Sequence, residues 1–249
     1  MVGKYDEFYE NGYQIINDIL SHEDISLLKQ KLHNIYDIQK NEFGLDNLSL
    51  INEENMIRVP FLYDEYFMSL FLKPEILQVI KEILGDHAIL HLQNSIIISP
   101  NQKHHESFYH RDIIHQDFVS SKPIGINLYF CLDNYSKENG GTCFIPKSHK
   151  MEKFPDRYEE VYPTINAGSV ILFDSMIYHK AGVNNTNEFR YGINHMFTLP
   201  FVKQQINFPS VLKDKYVDEF PTNRLLGYHS REFYDVLDFR NYRLKRVLK

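Results

Sequence analysis

Two kinds of periodicity divide this chain. From Ser21 to about Ile38, apolar residues recur at Ile25, Leu28, Leu32 and Ile35, the spacing of a helix with one buried stripe. Ser21 is the predicted N-cap, with Glu23 and Asp24 in a first turn where the helix dipole favours acids. A second helix is predicted from Pro74 to Gly85, with a proline at its first position, a glycine at its end, and Ile76, Leu77, Ile80 and Ile83 at its apolar positions. Beyond Gly85 the pattern changes to short, β-branched runs: HAILHLQNSIIISP (87–100), IGINLYFCLD (124–133), TCFIP (142–146), INAGSVILFDS (165–175) and FRYGINHMFTLP (189–200). Asn139-Gly140-Gly141 and Asn184-Asn185-Thr186-Asn187 punctuate them as turns. A short strand is expected within 12–20 and a short extended piece at Met56, broken by Pro60. Residues 41–55 read as a loop, and 149–163 as a long loop or short helix. The resulting class is mainly β with flanking α, a sandwich or barrel with helices gathered before it.

With 249 residues, the chain fits a single domain, 1–249: a helical part to about 85, a β core over about 86–206 and a charged, partly helical tail from about 207. The net charge of -6 argues against a general nucleic-acid surface, which needs a basic excess. Cys131 and Cys143 are too few for a disulfide framework and fit reduced thiols in a cytoplasmic protein. No window approaches the ~20 apolar residues of a membrane span, and the N-terminus carries no secretory pattern. The expected partner is a small molecule, with neither nucleic acid nor membrane.

The stretch from Phe108 to Asp117, FYHRDIIHQD, holds two copies of histidine, any residue, aspartate: His110-Arg111-Asp112 and His115-Gln116-Asp117. On an extended strand, residues two apart share a face, so either pair can grip one cation from one side. A third ligand from a later histidine would complete the two-His-one-carboxylate set of non-haem iron oxygenases. His149 reads as a surface turn and His195 as a core histidine. His179, at the end of an apolar run and next to the Gly182 turn, sits where sites are usually built. Arg190 follows eleven residues later, across one turn, where a guanidinium can meet a carboxylate in a two-pronged fork.

The segments YHRDIIHQDFVSSKP, LYFCLDNYSKENGGTCFIPKSHK, AGSVILFDSMIYHKAGVNNT and FRYGINHMFTLPFVKQQI together resemble the phytanoyl-CoA dioxygenase family of Fe(II)/2-oxoglutarate oxygenases. The likeness spans residues 90–206 or so, and GYQIINDILSHEDISLL is similar as well. It implies a double-stranded β-helix (jelly-roll, cupin-like) core with N-terminal helices packed outside. It also implies Fe(II), 2-oxoglutarate as co-substrate, O2, and hydroxylation of a small molecule with release of succinate and CO2. In the family an aromatic residue precedes the H-x-D, as Tyr109 does here. The resemblance therefore selects His110 and Asp112, with His179, as metal ligands and catalytic residues, and leaves His115 and Asp117 beside them. It gives Arg190 the far carboxylate of 2-oxoglutarate; Asn94, on the strand before the H-x-D, is expected to contact the other carboxylate. A carboxylate at Asp112 implies hydroxylation, where halogenating relatives have a small residue. Three positions depart from the family pattern: Lys147 replaces a turn glycine, Asn134 an acid, and Gly192 a small hydroxyl residue near the arginine. His104, His105 and Glu106 are expected at a lid, and Lys103, Lys122, Lys147 and Lys150 around the mouth. The rival readings are a cupin-like isomerase or lyase without 2-oxoglutarate, and a family member that binds without turnover.

Overall fold

The computed structural model describes residues 3–101, 106–113 and 118–248. The chain opens with α1 (Asp6–Asn11) and β1 (Tyr13–Ile16) and enters α2 (His22–Phe43). Ser21 and Asp24 form a reciprocal capping box at its start, and Ile25, Leu28, Leu32 and Ile35 are its buried stripe. The helix runs five residues past Ile38. Its last turns dock on β2 (Met56–Arg58), where the Gln39 amide takes both the N–H and the C=O of Arg58, at 3.0 and 2.6 Å. That contact covers the free edge of an edge strand, so the extension is set by tertiary structure. The expected loop at 41–55 instead carries a short helix, α3 (Leu45–Leu50), after Gly44 breaks α2 at φ +90°. Helices α4 (Met68–Leu72) and α5 (Pro74–Leu84) follow, and α5 has Pro74 and Gly85 at its ends as predicted.

The remaining strands are β3 (Ile89–Ile98), β4 (Gly125–Cys131), β5 (Thr142–Phe144), β6 (Val170–Asp174), β7 (His179–Ala181) and β8 (Arg190–Thr198). Among the described residues they form an antiparallel six-stranded sheet, ordered β1-β6-β4-β8-β3-β2, and a two-stranded sheet, β5-β7. Alternation splits β4 between two cores. Ile126, Leu128 and Phe130 face the helices with Leu32, Phe71 and Ile76, while Tyr129 and Cys131 face inward with Ile96, Phe144, Ile171 and Phe173. His195 is the core histidine the sequence suggests, fully buried against Gln93, with burial pushing its pKa down to about 3. Both cysteines are free and buried. The tail carries α6 (Phe208–Leu212), α7 (Thr222–Leu225) and α8 (Val236–Val247), and no helix among the described residues is long and apolar enough to cross a membrane.

Candidate metal centre and co-substrate pocket

His110 and His179 are brought together by backbone pairing. They exchange N–H···O bonds of 3.0 and 3.1 Å as an isolated antiparallel bridge, which stands their rings 4.4 Å apart. Asp112 arrives differently from the expected strand geometry. It lies in a bend, with its N–H on the Ser175 carbonyl at 3.0 Å, so the turn after His110 swings its carboxylate under both rings. One oxygen, Oδ1, lies 3.6 Å from the Nε2 of each histidine. The three ligand atoms all lie within 4.8 Å of one another.

The tautomers suit a cation. Nδ1 of His110 meets the Phe108 carbonyl at 2.9 Å, and Nδ1 of His179 meets the Ile177 carbonyl at 3.0 Å. A carbonyl only accepts, so each Nδ1 carries a proton, which leaves Nε2 as the atom each ring can offer a cation. Burial, with His110 alongside, pushes the pKa of His179 down to about 3, which keeps it in the neutral, metal-binding form. Burial also pushes the Asp112 carboxyl up, against the pull of His110 and of the Asn127 amide. Two imidazole Nε2 atoms and one carboxylate oxygen converging this way fit a divalent cation.

Arg190 opens β8 on the same cavity, a space of about 590 Å³. It is 2% exposed, makes no ion pair among the described residues, and has no hydrogen-bond partner at Nε or Nη1. A buried guanidinium without a counter-ion is costly, and a carboxylate arriving from outside would satisfy it. Its flat face stacks on Tyr135 at 4.2 Å. Gly192, the departure noted in the sequence, is compensated across the sheet: a side chain there would overlap the phenols of Tyr129 and Tyr135, which fill its space. A hydroxyl thus stands near Arg190 on a residue the sequence reading did not single out.

Asn94 lines the cavity in register with Arg58 on β2 and Asn194 on β8. With its amide oriented to satisfy its neighbours, it donates to the Gln93 carbonyl at 2.8 Å and accepts from Arg58 Nη1 at 2.7 Å. Glu106 also borders the cavity, whereas Lys103, His104, His105, His115 and Asp117 lie outside the described residues. Lys147 and Lys150 do not stand at the mouth. They pair with Glu10, and Lys122 and Lys150 line a separate pocket of about 230 Å³ with His149. Asn127 and Asn194 were overlooked. Their signal was an asparagine within a largely buried strand, in GINLYFC and RYGINHMFT.

A double-stranded β-helix with this inward-facing cluster defines the class of iron- and 2-oxoglutarate-dependent dioxygenases. The chain belongs to the phytanoyl-CoA dioxygenase (PhyH) family, whose profile matches residues 8–192. Uncharacterized protein Rv1501 of Mycobacterium tuberculosis is 32% identical over 247 residues, covering 93% of this chain and 90% of that protein. Dioxygenase af480 of Aspergillus fumigatus is 28% identical over 143 residues, covering 53% of this chain and 45% of that protein. The fold is shared with EctD from S. alaskensis, solved with 2-oxoglutarate and 5-hydroxyectoine (TM-score 0.65, 21% identity, 78% of this chain and 74% of that one). It is shared too with the epimerase SnoN from nogalamycin biosynthesis (TM-score 0.59, 17% identity, 77% and 80%).

Proposed function

We propose that this chain hydroxylates a C–H bond of a polar small molecule. His110 Nε2, Asp112 Oδ1 and His179 Nε2 hold the iron, and Arg190 takes the far carboxylate of 2-oxoglutarate. Tyr129 places its phenol beside Arg190, and Asn94, braced by Arg58, borders the carboxylate nearer the metal. Bound iron with 2-oxoglutarate supplies an oxidative decarboxylation, yielding succinate and CO2, coupled to C–H oxidation by O2. The protein's part is positional. Backbone carbonyls fix both imidazole tautomers, stacking on Tyr135 fixes the plane of Arg190, and the apolar walls of Ile96 and Phe173 exclude water.

The observation that carries this reading is the pairing of features in one cavity. Two histidines and one carboxylate oxygen share the cavity with a buried arginine that has no acidic partner among the described residues. An isomerase or lyase acting without 2-oxoglutarate leaves that arginine unexplained. Retention of the Asp112 carboxylate favours hydroxylation. A polar substrate is favoured by the neighbouring Arg58 and Asn94, both on the cavity wall. The test is succinate release from Fe(II), 2-oxoglutarate and O2 across a panel of hydroxylated and aminated metabolites, paired with mass detection of a +16 Da product. Product formation without succinate, or succinate formation that no metabolite accelerates, counts against it.

A further inference from the structure

The two oxygens of Asp112 are treated differently. Oδ1 faces both histidines, whereas Oδ2 receives a 2.6 Å hydrogen bond from Nδ2 of Asn127 on β4. Asn127 is fully buried, and the same nitrogen reaches Ser175 Oγ at 3.2 Å. Its other end is fixed as well, because Asn194 Nδ2 on the neighbouring strand β8 donates to Asn127 Oδ1 at 2.8 Å. The chain of amides ends at Asn194, a residue of the cavity wall whose buried Oδ1 has no partner among the described residues.

We propose that Asn127 and Asn194 form a positioning relay that makes Asp112 a one-oxygen ligand. The polarity of the relay runs one way. A carboxylate accepts only, so Asn127 must turn its NH2 toward Asp112 and its oxygen toward Asn194. Asn194 is then oriented with its NH2 toward Asn127. With Oδ2 engaged by Asn127, Asp112 offers a cation one oxygen, and the position a second oxygen would take stays free for the co-substrate. Groups behind a metal ligand typically change metal affinity by about 10–100-fold when removed. Serving as core polar filler instead, the two amides would contribute to folding alone.

This inference rests on the metal-site reading above, and the experiment separates the two. Co(II) is titrated into the full-length, metal-free protein by calorimetry, and the thermal unfolding midpoint is measured with and without saturating Co(II). Asn127→Leu is expected to weaken Co(II) about 10–100-fold and to shrink the metal-induced rise in midpoint, a differential that lost packing does not move. Where Asn127→Leu does not fold, Asn194→Leu on the half-open wall carries the test. It is expected to weaken Co(II) about 3–10-fold, a smaller share of the same range because it acts one link further out. Asn194→Gln, which keeps the donated N–H, should stay near wild type. Co(II) affinity unchanged in a folded Asn127→Leu or Asn194→Leu protein overturns the relay while leaving the metal site standing. A wild-type chain that binds no Co(II) removes both.

Discussion

Adding one methyl group at Gly192 probes how the Arg190 end of the cavity, the proposed co-substrate site, is built. Gly192 lies on β8 between Arg190 and Asn194, and its backbone does not require glycine, because its φ is not positive. The obstacle is space. A Cβ there would overlap the ring and hydroxyl of Tyr129 and the hydroxyl of Tyr135, well inside the ~3.5–4.0 Å at which non-bonded carbons rest. Tyr129 is 6% exposed and Tyr135 fully buried, so neither can swing into solvent. Overpacking of this kind costs about 1–3 kcal/mol. Displacing Tyr135 also endangers its 2.8 Å bond to the Tyr191 carbonyl, about 1 kcal/mol more. Gly192→Ala should therefore lose about 2–4 kcal/mol in urea denaturation, a fall of roughly 5–15 °C in thermal midpoint for a chain of this size. Because Tyr135 is the stacking floor of Arg190, 2-oxoglutarate affinity should drop in the same variant, by about tenfold or more on a misplacement of a few tenths of an ångström to 1 Å. A Gly192→Ala protein within about 0.5 kcal/mol of wild type, with unchanged 2-oxoglutarate binding, would refute the packing argument.

Arg190→Leu should cut 2-oxoglutarate affinity by at least about 100-fold, on the order of the 3–5 kcal/mol lost when a buried charge loses its partner, while Co(II) affinity by calorimetry stays within a few-fold. Lys147 holds φ +66° where a glycine is unstrained, and its surface pair with Glu10 is worth little, so Lys147→Gly should raise urea stability by about 0.5–1.5 kcal/mol. Asp174 is buried on the outer side of β6, and burial lifts its carboxyl to about 6 against an ordinary value of 3.8. The folded state then binds more protons than the unfolded one between those values, so stability falls as pH rises from about 4 to 6. Asp174→Asn keeps an oxygen for the Met176 N–H and should gain about 2–3 kcal/mol at pH 7.5, a gain absent below about pH 4 in parallel urea titrations.

Much of this molecule was legible in its sequence, where local chemistry and tertiary structure agree. Ser21 with Asp24, and Pro74 with Gly85, mark helix ends by the same hydrogen bonds and dihedral restrictions the structure displays. The last turns of α2 were not legible, because they depend on Gln39 meeting Arg58, nineteen residues away. The site shows the same division. Histidine and aspartate two apart suggested a shared strand face, and the residues do converge, but through a bend anchored on Ser175 that no local pattern encodes. Gly192 stands in the sequence where a hydroxyl was expected. Its replacement stands on β4, brought alongside only by sheet pairing, where Cys131 faces Gly192 and Tyr129 faces Asn194. Asn127 and Asn194 could have been flagged earlier, since an amide at an inward position of a buried strand needs a partner.

The most direct measurement of the central claim is an anaerobic titration of 2-oxoglutarate into the Fe(II)-loaded and the metal-free full-length protein. It is run on wild type, Asp112→Ala and Arg190→Leu, with binding followed by calorimetry. Saturable binding of one 2-oxoglutarate per chain, present with iron in wild type, lost without iron and lost in both variants, is the expected result. Binding of equal strength without metal, or undiminished in Asp112→Ala, would contradict it.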